Sequence, residues 1–179
     1  MMFLLRLLTR NKGGPAMDPL HVSMTGVRMG ERFLQIGCNN KALLSGLAAK
    51  VGLSGACAVA ATGPGQVKLA ESIGRKVGAL IDIQDIQGGR EWPFEDAAYD
   101  LVVIDDTDDG FRAFEPSSDI LRKAFSAARQ GGRIEIITLE KSPKGPIDFV
   151  PLLIAAGFKP VRVLAERDGL RFVEGLRTT

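Results

Sequence analysis

From Arg32 onward the apolar positions of this chain alternate between two rhythms, short continuous runs and longer stretches with helical spacing. Arg32-Phe33-Leu34-Gln35-Ile36 is short, mostly apolar and ends at Gly37, the pattern of a buried strand. Asn39 and Asn40 are good helix caps, and Leu43, Leu44, Leu47, Ala48 and Val51 follow at helical spacing. Ala56 to Ala61 is again apolar and continuous, which predicts a second buried strand. Pro64 suits a first helical turn, with Val67, Ala70, Ile73 and Val77 along one face. Ala79 to Ile83 predicts a third strand and Tyr99 to Ile104 a fourth. The next helix is capped by Ser117 or Ser118, carries Leu121, Ala124, Phe125 and Ala128 as its stripe, and is expected to stop at Gly131-Gly132. Arg133 to Thr138 reads as a fifth strand, and Phe149 to Ala156 as a helix ended by Gly157.

The carboxyl end changes rhythm. Phe158 to Arg167 and Leu170 to Leu176 read as two strands separated only by Asp168-Gly169, a dipeptide that favours a tight hairpin. Repeated strand-helix units therefore predict a mostly parallel sheet with an antiparallel member near its end. Such sheets bind ligands beyond the carboxyl ends of their strands, where the strand order reverses. The expected site is the set of loops Gly37–Lys41, Ala61–Gly65, Gln84–Gly88 and Asp105–Gly110.

Composition narrows the function classes. The 179 residues are 45% hydrophobic and 25% charged, enough for one domain with a real core. A net charge of +2 and 6% aromatic residues argue against a nucleic-acid binder. Cys38 and Cys57 lie in apolar runs and suggest neither a disulfide framework nor a zinc cluster, so a reduced, cytoplasmic protein is expected. His21 is the single histidine, which excludes a multi-histidine metal site within the chain. Met1 to Leu8 is apolar apart from Arg6, too short to cross a bilayer and without the marks of a secretory signal. Residues 1–12 allow an interfacial amphipathic helix with peripheral membrane contact; a short packed helix or a leader ahead of Met17 is the plainer reading.

The first loop, Gly37-Cys38-Asn39-Asn40-Lys41, lets a ligand approach the main chain at Gly37 and offers helix-start amides to a carboxylate or phosphate. It lacks the further glycines and the downstream acid of a dinucleotide fingerprint, which disfavours a nicotinamide dehydrogenase. The run Asp105-Asp106-Thr107-Asp108-Asp109-Gly110 has the look of a calcium loop, but Pro116 stands where the closing glutamate belongs, and no metal is expected. A solvated loop is the plain reading. The sharper one aims Asp105 or Asp106 at a cationic or hydroxyl-bearing acceptor. Cys38 near a helix start invites a lowered thiol pKa, against the plainer reading of a small buried residue. His21 is read as structural in preference to a general base. Trp92, Phe94 and Tyr99 read as a core and turn cluster, and Phe111 and Phe114 as lining for an acceptor pocket.

Four stretches together carry a more specific signal: Phe33-Leu-Gln-Ile-Gly37, Trp92-Pro-Phe-Glu-Asp-Ala-Ala-Tyr-Asp-Leu-Val-Val103, Ala128-Arg-Gln-Gly-Gly-Arg-Ile134 and Ala155-Ala-Gly-Phe-Lys-Pro160. In them the chain resembles the class I S-adenosylmethionine-dependent methyltransferases, over residues 30–177. The stretch from Trp92 is similar to that family's lead into its fourth strand, Ala128 to Ile134 to its "LxPGGxL" turn, and the final hairpin to its closing antiparallel strands. The resemblance implies an α/β fold, a Rossmann-like three-layer sandwich with a mostly parallel seven-stranded sheet and a C-terminal antiparallel hairpin. It divides the chain into a leader and helical cap segment, residues 1–29, and a methyltransferase-like domain, residues 30–179.

The same resemblance implies S-adenosylmethionine as cofactor and assigns roles position by position; a small-molecule acceptor is expected because the sequence offers no inserted or appended domain for recognising a macromolecule. Where the family has an acid two residues before its first glycine, this chain has Gln35; where the family's loop reads GxGxG, this one has Gly37, Cys38 and Asn39, expected to cradle the methionine part. The acid that ends the family's second strand and accepts both ribose hydroxyls falls on Ala61, with Thr62 next. Losing that carboxylate removes about 1.5–3 kcal/mol, roughly ten- to a hundredfold in affinity. Asp85 and Ile86 match the acid-apolar pair beside the adenine, and Asp105 falls where acceptor and methyl donor meet, with Asp106 beside it. The alternative is a catalytically degenerate, methyltransferase-like binding or scaffold protein, motivated by the altered first loop and by Ala61.

Overall fold

The computed structural model describes residues 17–179; the readings of residues 1–12 as a membrane-contacting helix or a leader lie outside the described residues. The elements run α1 (Pro19–Met24), β1 (Arg32–Ile36), α2 (Lys41–Val51), β2 (Ala56–Ala61), α3 (Pro64–Val77), β3 (Ile81–Asp85), β4 (Tyr99–Asp106), α4 (Ser117–Ala127), β5 (Ala128–Leu139), α5 (Phe149–Ala156), β6 (Val161–Arg167) and β7 (Leu170–Leu176). Short 3-10 turns at Gln87–Gly89 and Gly110–Ala113 follow β3 and β4.

The described strands form one seven-stranded sheet in the order β3-β2-β1-β4-β5-β7-β6. Strands β1 to β5 are mutually parallel, and β7 inserts antiparallel between β5 and β6. This is the expected Rossmann-like sandwich. Alternate residues of each central strand face opposite sides, so Leu34 and Ile36 join the core beneath α4 and α5, while Phe33 joins the core beneath α1, α2 and α3. The hairpin turn follows from its dipeptide: Asp168 and Gly169 take φ of 54° and 80°, the left-handed pair that a two-residue turn requires.

Several boundaries differ from the sequence reading: β5 runs from Ala128 to Leu139, β6 begins at Val161, and three others have an identifiable physical cause. Strand β3 begins two residues later, because the Ala79 N–H bonds back to the Gly74 carbonyl and belongs to the exit turn of α3. Helix α4 ends at Ala127, ahead of the glycine pair, because Ala128 pairs with Tyr99 of β4. The Arg177 guanidinium then takes the carbonyls of Phe125, Ser126 and Ala128, capping the helix from the end of β7. Strand β4 runs on through Asp106, so Asp105 and Asp106 lie inside the strand and are buried.

Candidate active site

Strand β1 sits between β2 and β4, so the sheet's direction of winding reverses beside it and a crevice opens past the strand ends. The four loops expected at the site do converge there. Gly37 leaves β1 with φ of 80°, and a Cβ at that position would stand 3.0 Å from the Asp105 carbonyl oxygen. Only a glycine turns the chain so close to the neighbouring strand.

The floor of the crevice is built by side chains that take up the loop's own amides. Gln35, buried beneath the loop, donates from Nε2 to the Gly37 carbonyl at 2.9 Å, while its Oε1 is buried with no hydrogen-bond partner. The Asp105 Oδ2 accepts from the N–H groups of Asn39 and Asn40, both at 3.0 Å, and its Oδ1 accepts from the Thr107 N–H and hydroxyl. The Asn40 side chain in turn caps α2 by accepting from Ala42 and Leu43. An acidic side chain thus already stands at the start of α2, where the sequence suggested room for an anionic ligand group.

Asp106 is equally committed. It accepts from the Phe111 N–H at 2.9 Å and from the Thr138 hydroxyl at 2.6 Å, tying the loop after β4 to β5. Burial pushes its pKa up from the ordinary carboxylate value, with Asp109 and Asp108 adding to the rise. Further along the acidic run, Asp109 accepts from the Ser142 hydroxyl at 2.8 Å. These aspartates serve as stitches between loops.

Past β2, Ala61 is fully buried and its carbonyl accepts from the Ile86 N–H. Thr62 follows, half-buried, and its N–H donates to Gln66 Oε1 at 3.0 Å. The same oxygen accepts from the Cys38 N–H at 3.0 Å, so one carboxamide joins the loops after β1 and β2. The spacing carried a signal for this residue: Gln66 is the third residue of α3, the place from which a glutamine reaches back to the chain entering a helix. Asp85 ends β3 directly opposite Ala61, exposed, with Oδ1 accepting from the Gln87 N–H. The Ile86 side chain is fully buried in the core, so its backbone, not its side chain, borders the crevice. A neighbouring cleft of about 240 Å³ is lined by Gly88, Gly89, Phe114 and Lys123, among others.

Several other candidates lie elsewhere. Phe111 and Phe114 are both buried in the core, Phe111 packed edge-on against Phe149 at 4.9 Å; Phe114 also meets the cleft beside Gly89, and Phe111 does not line it. The loop after β4 folds inward because Asp106 holds it at Phe111. Cys38 is fully buried, and that burial, with the Asp105 charge second, pushes its thiol up to about 12, the opposite of activation. His21 accepts the Asp18 N–H on Nδ1 and bonds Asp168 through Nε2 at 3.0 Å, clamping α1 to the β6–β7 turn. Asp18, His21 and Asp168 also form the group of metal-capable donors found among the described residues, but Asp18 Oδ1 is spent on capping α1 and both ring nitrogens are engaged.

The profile of the ubiE/COQ5 methyltransferase family matches residues 18–160. The chain belongs to that family. Its cofactor is accordingly S-adenosylmethionine and its chemistry methyl transfer. No curated protein matches the sequence. Among solved structures, an S-adenosylmethionine-dependent methyltransferase of Aquifex aeolicus is similar at a TM-score of 0.74 and 21% identity, with 89% of each chain covered. An O-methyltransferase of Thermotoga maritima aligns at 0.68 and 18% identity, over 94% of this chain and 69% of that one. The [4+2]-cyclase SpnF aligns at 0.63 and 15% identity, over 86% and 64%. At these identities the likeness is one of fold. The crevice at the end of β2 is bordered by Ala61 and Thr62, with the Gln66 carboxamide bonded to the main chain on both sides.

Proposed function

We propose that this member of the ubiE/COQ5 family transfers a methyl group from S-adenosylmethionine to a small-molecule acceptor in the cytoplasm. The observation that carries the reading is Gly37, turned back against Asp105 so that the end of β1 presents bare main chain at the switch point of the sheet. The residues present fit the cofactor. The orphaned Gln35 Oε1 lies under the loop that would hold the methionine part, formed by Gly37, Cys38 and Asn39. Ala61 and Thr62 would border the ribose, and Asp85 and the backbone of Ile86 would flank the adenine.

When bound, S-adenosylmethionine supplies an electrophilic methyl on a positively charged sulfur. Its transfer to a nucleophile calls chiefly for alignment and exclusion of water, so no general base is required of the protein. That agrees with the state of the two aspartates: Asp105 and Asp106 act as positioning residues, holding the loops that orient cofactor and acceptor. The segments that would meet the acceptor, Thr107–Pro116 and Glu140–Asp148, are short, which supports a small molecule over a macromolecule. The free, buried cysteines support a reducing compartment. Among the described residues no helix is long and apolar enough to cross a membrane.

Isothermal titration with S-adenosylmethionine and S-adenosylhomocysteine tests the reading. Saturable binding of both is expected. Absence of binding at millimolar ligand would overturn it in favour of the degenerate scaffold.

A further inference from the structure

Strand β2 ends on Ala61, which carries no carboxylate, so a ribose held beside it must be read by other groups. The Ala61 side chain offers no polar atom, and Asp85 stands one strand away, about 4.8 Å across the ladder. Gln66 is the side chain that reaches the gap. Its Oε1 lies 3.0 Å from both Cys38 N and Thr62 N, between the tips of β1 and β2. This contact also settles the orientation of the carboxamide: the reverse flip would set its NH2 against two backbone donors. With Oε1 held toward the backbone, Nε2 is turned away from it, and no described residue accepts from it.

We infer that Gln66 is the residue through which this chain recognises the ribose of its nucleoside cofactor, an inference that rests on the methyltransferase reading above. The polarity of recognition is reversed. A carboxylate accepts hydrogen bonds from the two hydroxyls, whereas the Gln66 NH2 donates to their oxygens, and the Thr62 hydroxyl serves beside it in either sense. The Oε1 anchor gives the contact its geometry, because the two backbone N–H groups fix the amide before the ligand arrives. Gln66 thus does two things at once: it ties the loop after β1 to the loop after β2, and it presents donors to whatever lies between them. The neutral amide also carries none of the charge with which an acid repels an anionic substituent on the ribose.

Two substitutions and two ligands separate these roles. The ligands are S-adenosylhomocysteine and its 2′,3′-dideoxy analogue, titrated calorimetrically against the full chain, with thermal unfolding of each ligand-free variant recorded alongside. Gln66→Leu is expected to weaken S-adenosylhomocysteine about five- to tenfold, the worth of one neutral hydrogen bond, while leaving the dideoxy analogue within twofold. Gln66→Glu keeps an oxygen for Cys38 and Thr62 and adds an ionised acceptor. It is expected to fold like the unaltered chain and to bind S-adenosylhomocysteine about tenfold more tightly, with no gain for the analogue. Equal weakening of both ligands by Gln66→Leu would make Gln66 a loop clasp alone and overturn the inference. Unchanged binding of S-adenosylhomocysteine by both variants would overturn it as well. In either case binding by the unaltered protein leaves the methyltransferase reading standing; if the unaltered protein binds neither ligand, that reading falls and the ribose contact with it.

Discussion

The carboxylate of Asp105 accepts the backbone N–H of Asn39 at 3.0 Å, so a residue near the end of β4 caps the chain entering α2. The same oxygen takes the Asn40 N–H, and the other oxygen holds Thr107. One acidic side chain therefore welds the loop after β1 to the loop after β4. Asp105→Asn replaces a charged acceptor with an amide that cannot satisfy all these donors. It is expected to cost about 1.5–3 kcal/mol of stability, read as a lowered urea midpoint, and to weaken S-adenosylhomocysteine binding through the displaced loop. A carboxylate that instead touched the acceptor would, on becoming Asn, slow turnover and leave the midpoint in place.

Gly37 answers to the same contact from the other side. Gly37→Ala would place a methyl 3.0 Å from the Asp105 carbonyl on a backbone with φ of 80°. A loss of about 1–3 kcal/mol is expected, with binding reduced in step. Gly65, in the first turn of α3 with open space around it, is the control, and Gly65→Ala should leave stability unchanged or raise it by about 0.5 kcal/mol.

A buried acid on β5 sets the response to alkali. Glu135 is fully buried and lies directly opposite Glu174 on β7; burial first, and the Glu174 carboxyl second, push its pKa from 4.5 up to about 9. Between those two values the unfolded chain has released the proton and the folded chain retains it. The folded state then binds more protons, so stability falls as pH rises from about 4.5 to 9. Glu135→Gln removes this slope. Urea unfolding at pH 5 and pH 8 should show the variant gaining stability over the unaltered chain, by about 1–3 kcal/mol more at the higher pH. Identical gains at both would mean that Glu135 is ionised in the folded protein.

The thiols offer a check on the closed crevice. Burial holds Cys38 up at about 12 and Cys57 up at about 11. At pH 8 neither is expected to react with a disulfide reagent in the folded protein, and both should react at once in denaturant. Rapid labelling of Cys38 in the folded chain would show that the loop held by Gln66 and Asp105 opens readily.

What local pattern could determine, it did. The strand from Arg32 to Ile36, the helix from Phe149 to Ala156 and the Asp168-Gly169 turn follow from spacing, capping and turn chemistry within a few residues, and the structure contains each. The alternation of strands and helices likewise implies a parallel sheet, and hence a site at the strand ends, because few other arrangements bury such segments. Turn chemistry and the family resemblance imply a closing antiparallel hairpin, but the insertion of β7 between β5 and β6 is set by the tertiary structure. Only the tertiary structure decided how the site's polar groups are spent. Asp105 meets Asn39 across 66 positions of sequence, Gln66 meets Cys38 across 28, and His21 meets Asp168 across 147. Composition and periodicity describe which face of an element is apolar. They do not specify which distant side chain will satisfy a given buried amide, since that partner is chosen by geometry when the loops are brought together. Thus the acids after β4 were legible as a motif, and their work as braces was not. The glutamine at the start of α3 drew no reading from the sequence, and its reach to Cys38 and Thr62 emerged only once β1 and β2 lay side by side.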